Sequence, residues 1–123
     1  MGAISTASSV ELSKEFPNNV AMKFDSGKTP YDLLPLDLLD GTARVFKGGE
    51  GKYGVDNYRS NGGFDPRRPL AAILRHMSEV QRAIITGDQE RMIDKDFGEA
   101  HLHHAICSAL ILIDSLRQRG WNI

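Results

Sequence analysis

A chain of 123 residues fits one compact domain with a radius of gyration of roughly 14 Å, and 41% hydrophobic residues with 12 glycines exclude wholesale disorder. Lys and Arg number 15 against 16 Asp and Glu, a net charge of -1, so no basic field exists to collect counterion-release energy from nucleic acid, and a general DNA or RNA coat is excluded. The single Cys107 can form neither an internal disulfide nor a cysteine zinc site, which sets the expectation of a cytoplasmic protein whose core is held by packing.

Residues 1–23 are short of large apolar side chains and read as a weakly ordered or subunit-wrapping arm, ahead of an all-α domain over 24–123. The opening Met1-Gly2-Ala3-Ile4-Ser5-Thr6 matches a myristoylation consensus. One acyl chain binds membranes marginally, however, and no polybasic cluster follows. No signal peptide or apolar run of about 20 residues is present, so no membrane partner is expected.

Thr29-Pro30 reads as an N-cap followed by a first helical position. Leu33, Leu34, Leu36, Leu38, Leu39, Ala43, Val45 and Phe46 then recur at mixed spacings of three and four. They predict an amphipathic helix restarted at Pro35 and ended by Gly48. Residues 48–69 hold many glycines and two prolines, and read as a long functional loop or a loop around a short helical turn. Asp65-Pro66 or Arg68-Pro69 opens a second helix, with Leu70, Ile73, Leu74, Met77, Val80, Gln81 and Ile84 on one stripe and Thr86-Gly87 as its stop. A charged turn from Asp88 to Lys95 leads to a third helix carrying Leu102, Ala105, Ile106, Ala109, Leu110, Ile113 and Leu116, which runs to Gly120. Nothing alternates with period two, so the expected fold class is all-α, a small helical bundle. Leftover apolar positions such as Ile111 and Leu112 call for a homodimer or homotetramer.

All four histidines lie on the last two helices, beside carboxylates. His76 and Glu79 are three residues apart and share a helix face, as do His101 and His104. Asp94, Asp96 and Glu99 fall just before or in the first turn of the third helix, where capping alone would also favour acids. Helical bundles build divalent-metal sites from such inward Glu and Glu/His pairs, and Mg²⁺ or Mn²⁺ suits these donors.

Gly49-Glu50-Gly51-Lys52-Tyr53-Gly54 fits a dinucleotide-binding glycine pattern, but a helix rather than a strand precedes it. A Walker A loop fails too, because Phe46 occupies the first glycine position and Tyr53 the Ser/Thr position. What remains is a glycine-rich turn in which Lys52 either contacts phosphate or is simply solvated. Arg75 is a further cationic candidate, Arg67 and Arg68 read as surface residues, and Asp56, Asn57 and Asn61 could read a base or a ribose.

On these residues the chain resembles the phage dATP/dGTP diphosphohydrolase branch, MazZ-like, of the MazG/HisE-like all-α nucleotide pyrophosphohydrolases. The landmarks, spread over residues 24–117, are Asp25-Ser26-Gly27-Lys28, Leu33-Leu34-Pro35, Lys52-Tyr53-Gly54 with Asn57, Arg75-His76, and Asp94-Lys95-Asp96-Phe97-Gly98 running into His101-Leu102-His103-His104-Ala105. Tyr58 stands where the family commonly has Trp, and Asp96-Phe97 replaces a usual Glu-Ser. The resemblance implies metal-dependent cleavage of a purine nucleoside or deoxynucleoside triphosphate, such as dGTP or GTP, to the monophosphate and pyrophosphate, with dGMP feeding synthesis of a modified purine nucleotide in a phage.

The resulting expectation gives catalysis to Glu79, Asp94 and His76. Glu79, Asp94, Asp96 and Glu99 would hold two or three Mg²⁺ or Mn²⁺ ions, with His76, His101 and His104 as ligands or as groups that fix the acids. Lys28, Lys52 and Arg75 would contact phosphate, while Tyr53 and Asn57 would line the nucleoside pocket. Two alternatives compete. An HD-type phosphohydrolase would release tripolyphosphate but needs a His-Asp dipeptide, which the chain lacks. The other is a non-catalytic helical module that binds metal or nucleotide.

Overall fold

The computed structural model describes residues 26–123. The expected arm over residues 1–23, and Asp25 of the first landmark, lie outside the described residues. The chain divides into two compact units, the first ending at Leu38 and the second comprising Leu39–Ile123.

The described part of the first unit is a turn at Gly27 followed by the 3-10 turn Tyr31–Leu33; a second 3-10 turn spans Leu36–Leu39. The helix expected from Pro30 does not form here, and the reason is Pro35. Proline pushes the residue before it out of the helical region, and Leu34 is extended at φ -75° and ψ 128°.

The second unit carries three α-helices: α1 (Asp40–Tyr53), α2 (Arg67–Thr86) and α3 (His101–Gln118). Among the described residues no strand forms, only an isolated antiparallel bridge between Ile93 and Ala100. The architecture is all-α.

Gly48 does not end α1, which continues to Tyr53 and stops at Gly54, where φ reaches +96° and the N–H bonds the Glu50 carbonyl at 2.8 Å. The glycines inside α1 serve packing instead. Gly41 and Gly48 are seven residues apart, two turns along one face. A Cβ at Gly41 would collide with the His103 ring, and one at Gly48 with the Phe97 ring. The loop after α1 is correspondingly shorter than expected and contains the kinked 3-10 turn Asn57–Gly62.

Of the two predicted starts for α2, Asp65-Pro66 is the one used. The Asp65 carboxylate accepts from the Arg67 N–H at 3.0 Å and from its guanidinium at 2.8 Å. Gly87, in the left-handed region, closes the helix as expected. Because α2 and α3 run antiparallel, His76 meets the start of α3 while Ser115, near its end, reaches the loop before α2. That hydroxyl is fully buried and donates to the Phe64 carbonyl at 2.6 Å, so its desolvation is compensated. Pro69, Val80, Ala83, Ala105 and Cys107 are the buried apolar side chains of this helix pair. α1 also packs against α3.

The glycine contacts give opposite signs for neighbouring substitutions. Gly49→Ala, with open space around the new methyl, should raise stability by up to about 1 kcal/mol through helix propensity. Gly48→Ala gains the same propensity but overpacks against Phe97, at a cost of about 1–3 kcal/mol, and should lower the melting temperature. Thermal unfolding by circular dichroism measures both, and equal shifts for the two variants would contradict the packing role of Gly48.

Candidate functional site

The antiparallel pairing of α2 and α3 sets His76 against the first turn of α3. His76 Nδ1 and His101 Nδ1 lie 2.8 Å apart, so one ring donates and the other accepts. The His104 ring stacks on His76, with centroids 4.8 Å apart and planes inclined by 16°. The Asp94 carboxylate completes the group: its Oδ2 is 4.0 Å from His76 Nδ1 and 3.8 Å from His104 Nε2. One donor atom from each of His76, Asp94 and His104 fits within a 4.8 Å span. His104 Nε2 is buried and has no hydrogen-bond partner among the described residues.

A tight loop holds Asp94 in place. Its N–H donates to the Glu99 carbonyl at 2.9 Å and its carbonyl accepts from the Gly98 N–H at 2.6 Å. Oδ1 accepts from the Asp96 N–H at 2.9 Å, an Asx turn that leaves Oδ2 toward the imidazoles. Phe97, seated on Gly48, meets the His104 ring edge-on at 5.3 Å.

Two of the other expected acids, Glu99 and Glu79, are engaged by arginines. Glu99 forms a two-pronged pair with Arg44 of α1, at 2.6 and 3.3 Å, and the hydrogen bond from Arg44 holds its carboxyl below the usual range. Glu79 sits 3.1 Å from Arg91 and 3.9 Å from Arg82; the hydrogen bond from Arg91 lowers its carboxyl likewise. Glu79, Asp94, Asp96 and His101 nevertheless line one cleft of about 540 Å³. His103 points away from the group, over Gly41, with its Nδ1 buried and unpartnered.

Burial is the main force on the paired imidazoles. It pushes the pKa of His76 down, helped by the neighbouring His104 and His101, and lowers that of His104 despite the opposing Asp94 carboxylate. Both rings are therefore neutral at neutral pH and present lone pairs. Two neutral imidazoles and a carboxylate, one ring nitrogen being buried without a hydrogen-bond partner among the described residues, are a donor set that fits a divalent cation. Imidazole favours Mn²⁺ over the harder Mg²⁺.

Two further cavities flank α3. One, of about 400 Å³, is lined by Phe46, Tyr53, Asn57, Tyr58, Phe64 and Ile111 among others. The second, of about 620 Å³, includes Phe64, Arg67, Arg68, Arg75, Ser108 and Ile111. Tyr53 and Asn57 thus share one cavity, whereas Arg75 belongs to the other. Lys52 lies 5.1 Å over the Tyr53 ring, and Lys28 belongs to the first unit. Sequence reasoning missed Arg44, and it gave neither Phe97, a landmark of the resemblance, nor Phe64 a place at the site. A glycine in mid-helix at position 48 was the one available signal for Phe97.

The family described as "dATP/dGTP diphosphohydrolase, N-terminal" matches residues 18–122. Over 88 residues the chain is 34% identical to a dATP/dGTP diphosphohydrolase of Salmonella phage PMBT28. That match takes in 72% of this chain and 26% of the relative, so the chain spans about a quarter of that protein's length. No solved structure matches. A match over nearly the whole chain, to the same family as the sequence landmarks, shows that this protein belongs to the dATP/dGTP diphosphohydrolase N-terminal family.

Proposed function

We propose that the chain performs metal-dependent hydrolysis of a purine nucleoside or deoxynucleoside triphosphate, GTP or dGTP, to the monophosphate and pyrophosphate, in the cytoplasm of a phage-infected cell. The dGMP formed would supply synthesis of a modified purine nucleotide. The observation that carries this reading is the half-buried group His76, Asp94 and His104, with its orphaned nitrogen. Family membership and the name of the phage relative support it.

His76, Asp94 and His104 would hold a divalent cation, Mn²⁺ or Mg²⁺. When bound, such an ion supplies positive charge for the phosphate oxygens and lowers the pKa of an attacking water. His101 fixes the His76 ring through its hydrogen bond. Asp96 lines the cleft ready for a further ion, whereas Glu79 and Glu99 would join only by exchanging Arg91 and Arg44. Lys52 and Arg75 are the proposed phosphate contacts, and Tyr53 and Asn57 the proposed nucleoside contacts. Exposed Leu70, Leu74, Met77 and Ile84 on α2, with Leu102, Ile106 and Ile113 on α3, favour a homodimer or homotetramer, with no nucleic-acid partner. No helix among the described residues is long and apolar enough to cross a membrane.

A phosphorus spectrum of the products from dGTP and Mn²⁺ should show pyrophosphate. Tripolyphosphate would point to HD-type chemistry, and no change to a binding module. Asp94→Asn and Glu79→Gln should each cut turnover, Asp94→Asn by about 100-fold, with helical circular dichroism unchanged. Full activity in both would reject the site.

The depressed imidazoles also fix the sign of a pH effect. Below the ordinary histidine pKa of about 6.5 the unfolded chain takes up protons that folded His76 and His104 still refuse. Stability should therefore fall as the pH drops through that value. Urea unfolding at pH 7.5 and 5.5 measures this, and the slope should shrink in a His76→Asn, His104→Asn double variant.

A further inference from the structure

We propose that the aromatic cavity and the arginine cleft form one nucleotide groove, in which Tyr53, Tyr58 and Phe64 take the purine base while Arg68 and Arg75 take the polyphosphate tail. This rests on the nucleotide-hydrolysis reading above, and adds Arg68, Tyr58 and Phe64 to the substrate contacts. The two cavities share a wall, since Phe64 and Ile111 line both.

The base end is aromatic, with a polar rim. Phe46 and Tyr58 pack at 5.6 Å, and Glu50, Asp56 and Asn57 border the same space. About 400 Å³ is within the range of small-molecule sites, and apolar walls with a few polar groups are what a heterocyclic base requires.

At the other end the three arginines are not equivalent. Arg67 is tied to Asp65 at 2.8 Å, and that hydrogen bond pulls the Asp65 carboxyl down to about 2. Among the described residues neither Arg68 nor Arg75 has a carboxylate in an ion pair. Arg68 instead lies 5.3 Å over the Phe64 ring, at the junction of the two cavities. Seven residues separate Arg68 from Arg75, which puts both on one face of α2, about 10 Å apart along the axis. A chain of phosphates can bridge such a distance, and guanidinium forks match its oxygens.

The cleft also has a direction. Arg75 directly precedes His76, and Ser108, which lines the cleft, follows His104 by one turn of α3. Both helices therefore lead from the arginines to the His76, Asp94 and His104 group. A nucleotide laid along the groove carries its phosphates toward that group and its base away from it.

NMR titrations of the full chain with two separate probes, inorganic tripolyphosphate and deoxyguanosine, test the assignment. Arg68→Gln should weaken tripolyphosphate about tenfold and leave deoxyguanosine unchanged, with Arg68→Lys recovering part of the loss. Tyr53→Ala should do the converse, and Arg67→Gln should alter neither. Equal losses for Arg67→Gln and Arg68→Gln, no loss for Arg68→Gln, or no binding of either probe to the unmodified chain would overturn the groove. Pyrophosphate release from dGTP is a separate readout. If it persists while the probe pattern fails, the groove is wrong and hydrolysis stands; if the probe pattern holds without release, the groove stands and hydrolysis is wrong.

Discussion

The contact on which the site depends is the seating of His76 against His101 and His104 across the antiparallel α2 and α3 pair. A 2.8 Å hydrogen bond and a stacked ring fix three imidazoles that would otherwise rotate freely on two exposed helix surfaces. Asp94 can then face two of them at once. Burial keeps His76 and His104 uncharged, which a cation site needs and which three adjacent imidazolium ions would forbid.

The neighbours of this group explain why α1 is built as it is. Glycine weakens a helix, yet Gly41 and Gly48 sit within one because His103 and Phe97 occupy the space their side chains would fill. Phe97 in turn braces His104. Arg44 of the same helix clamps Glu99, whose carbonyl receives the Asp94 N–H. α1 therefore positions the loop that supplies the acid, although the residues between Asp40 and Tyr53 place no ligand atom in the cluster.

Much of the fold was legible in the sequence. The apolar periods of α2 and α3, and the Pro and Gly punctuation at Pro66 and Gly87, are local signals, and the structure follows them. The reading of α1 went astray where tertiary contact overrode local preference: Gly48 looks like a stop until Phe97 is placed beside it. At the site, residue type and helical spacing brought His76, His101 and His104 together on paper, and the loop acid Asp94 with them. The partners of Glu79 and Glu99 were not legible. Arg91 and Arg44 reach them from 12 and 55 positions away, and no spacing rule reports an ion pair of that kind. The split of Arg67 from Arg68 was equally hidden, because it turns on which side chain Asp65 captures.

The central claim is that His76, Asp94 and His104 act as one donor set, and a cobalt titration followed by visible absorption tests it most directly. The account predicts saturable ligand-field bands with the unmodified chain, displaced by Mn²⁺ and lost in His104→Ala and in Asp94→Asn. Bands that survive both substitutions, or no specific cobalt binding at neutral pH, would contradict it.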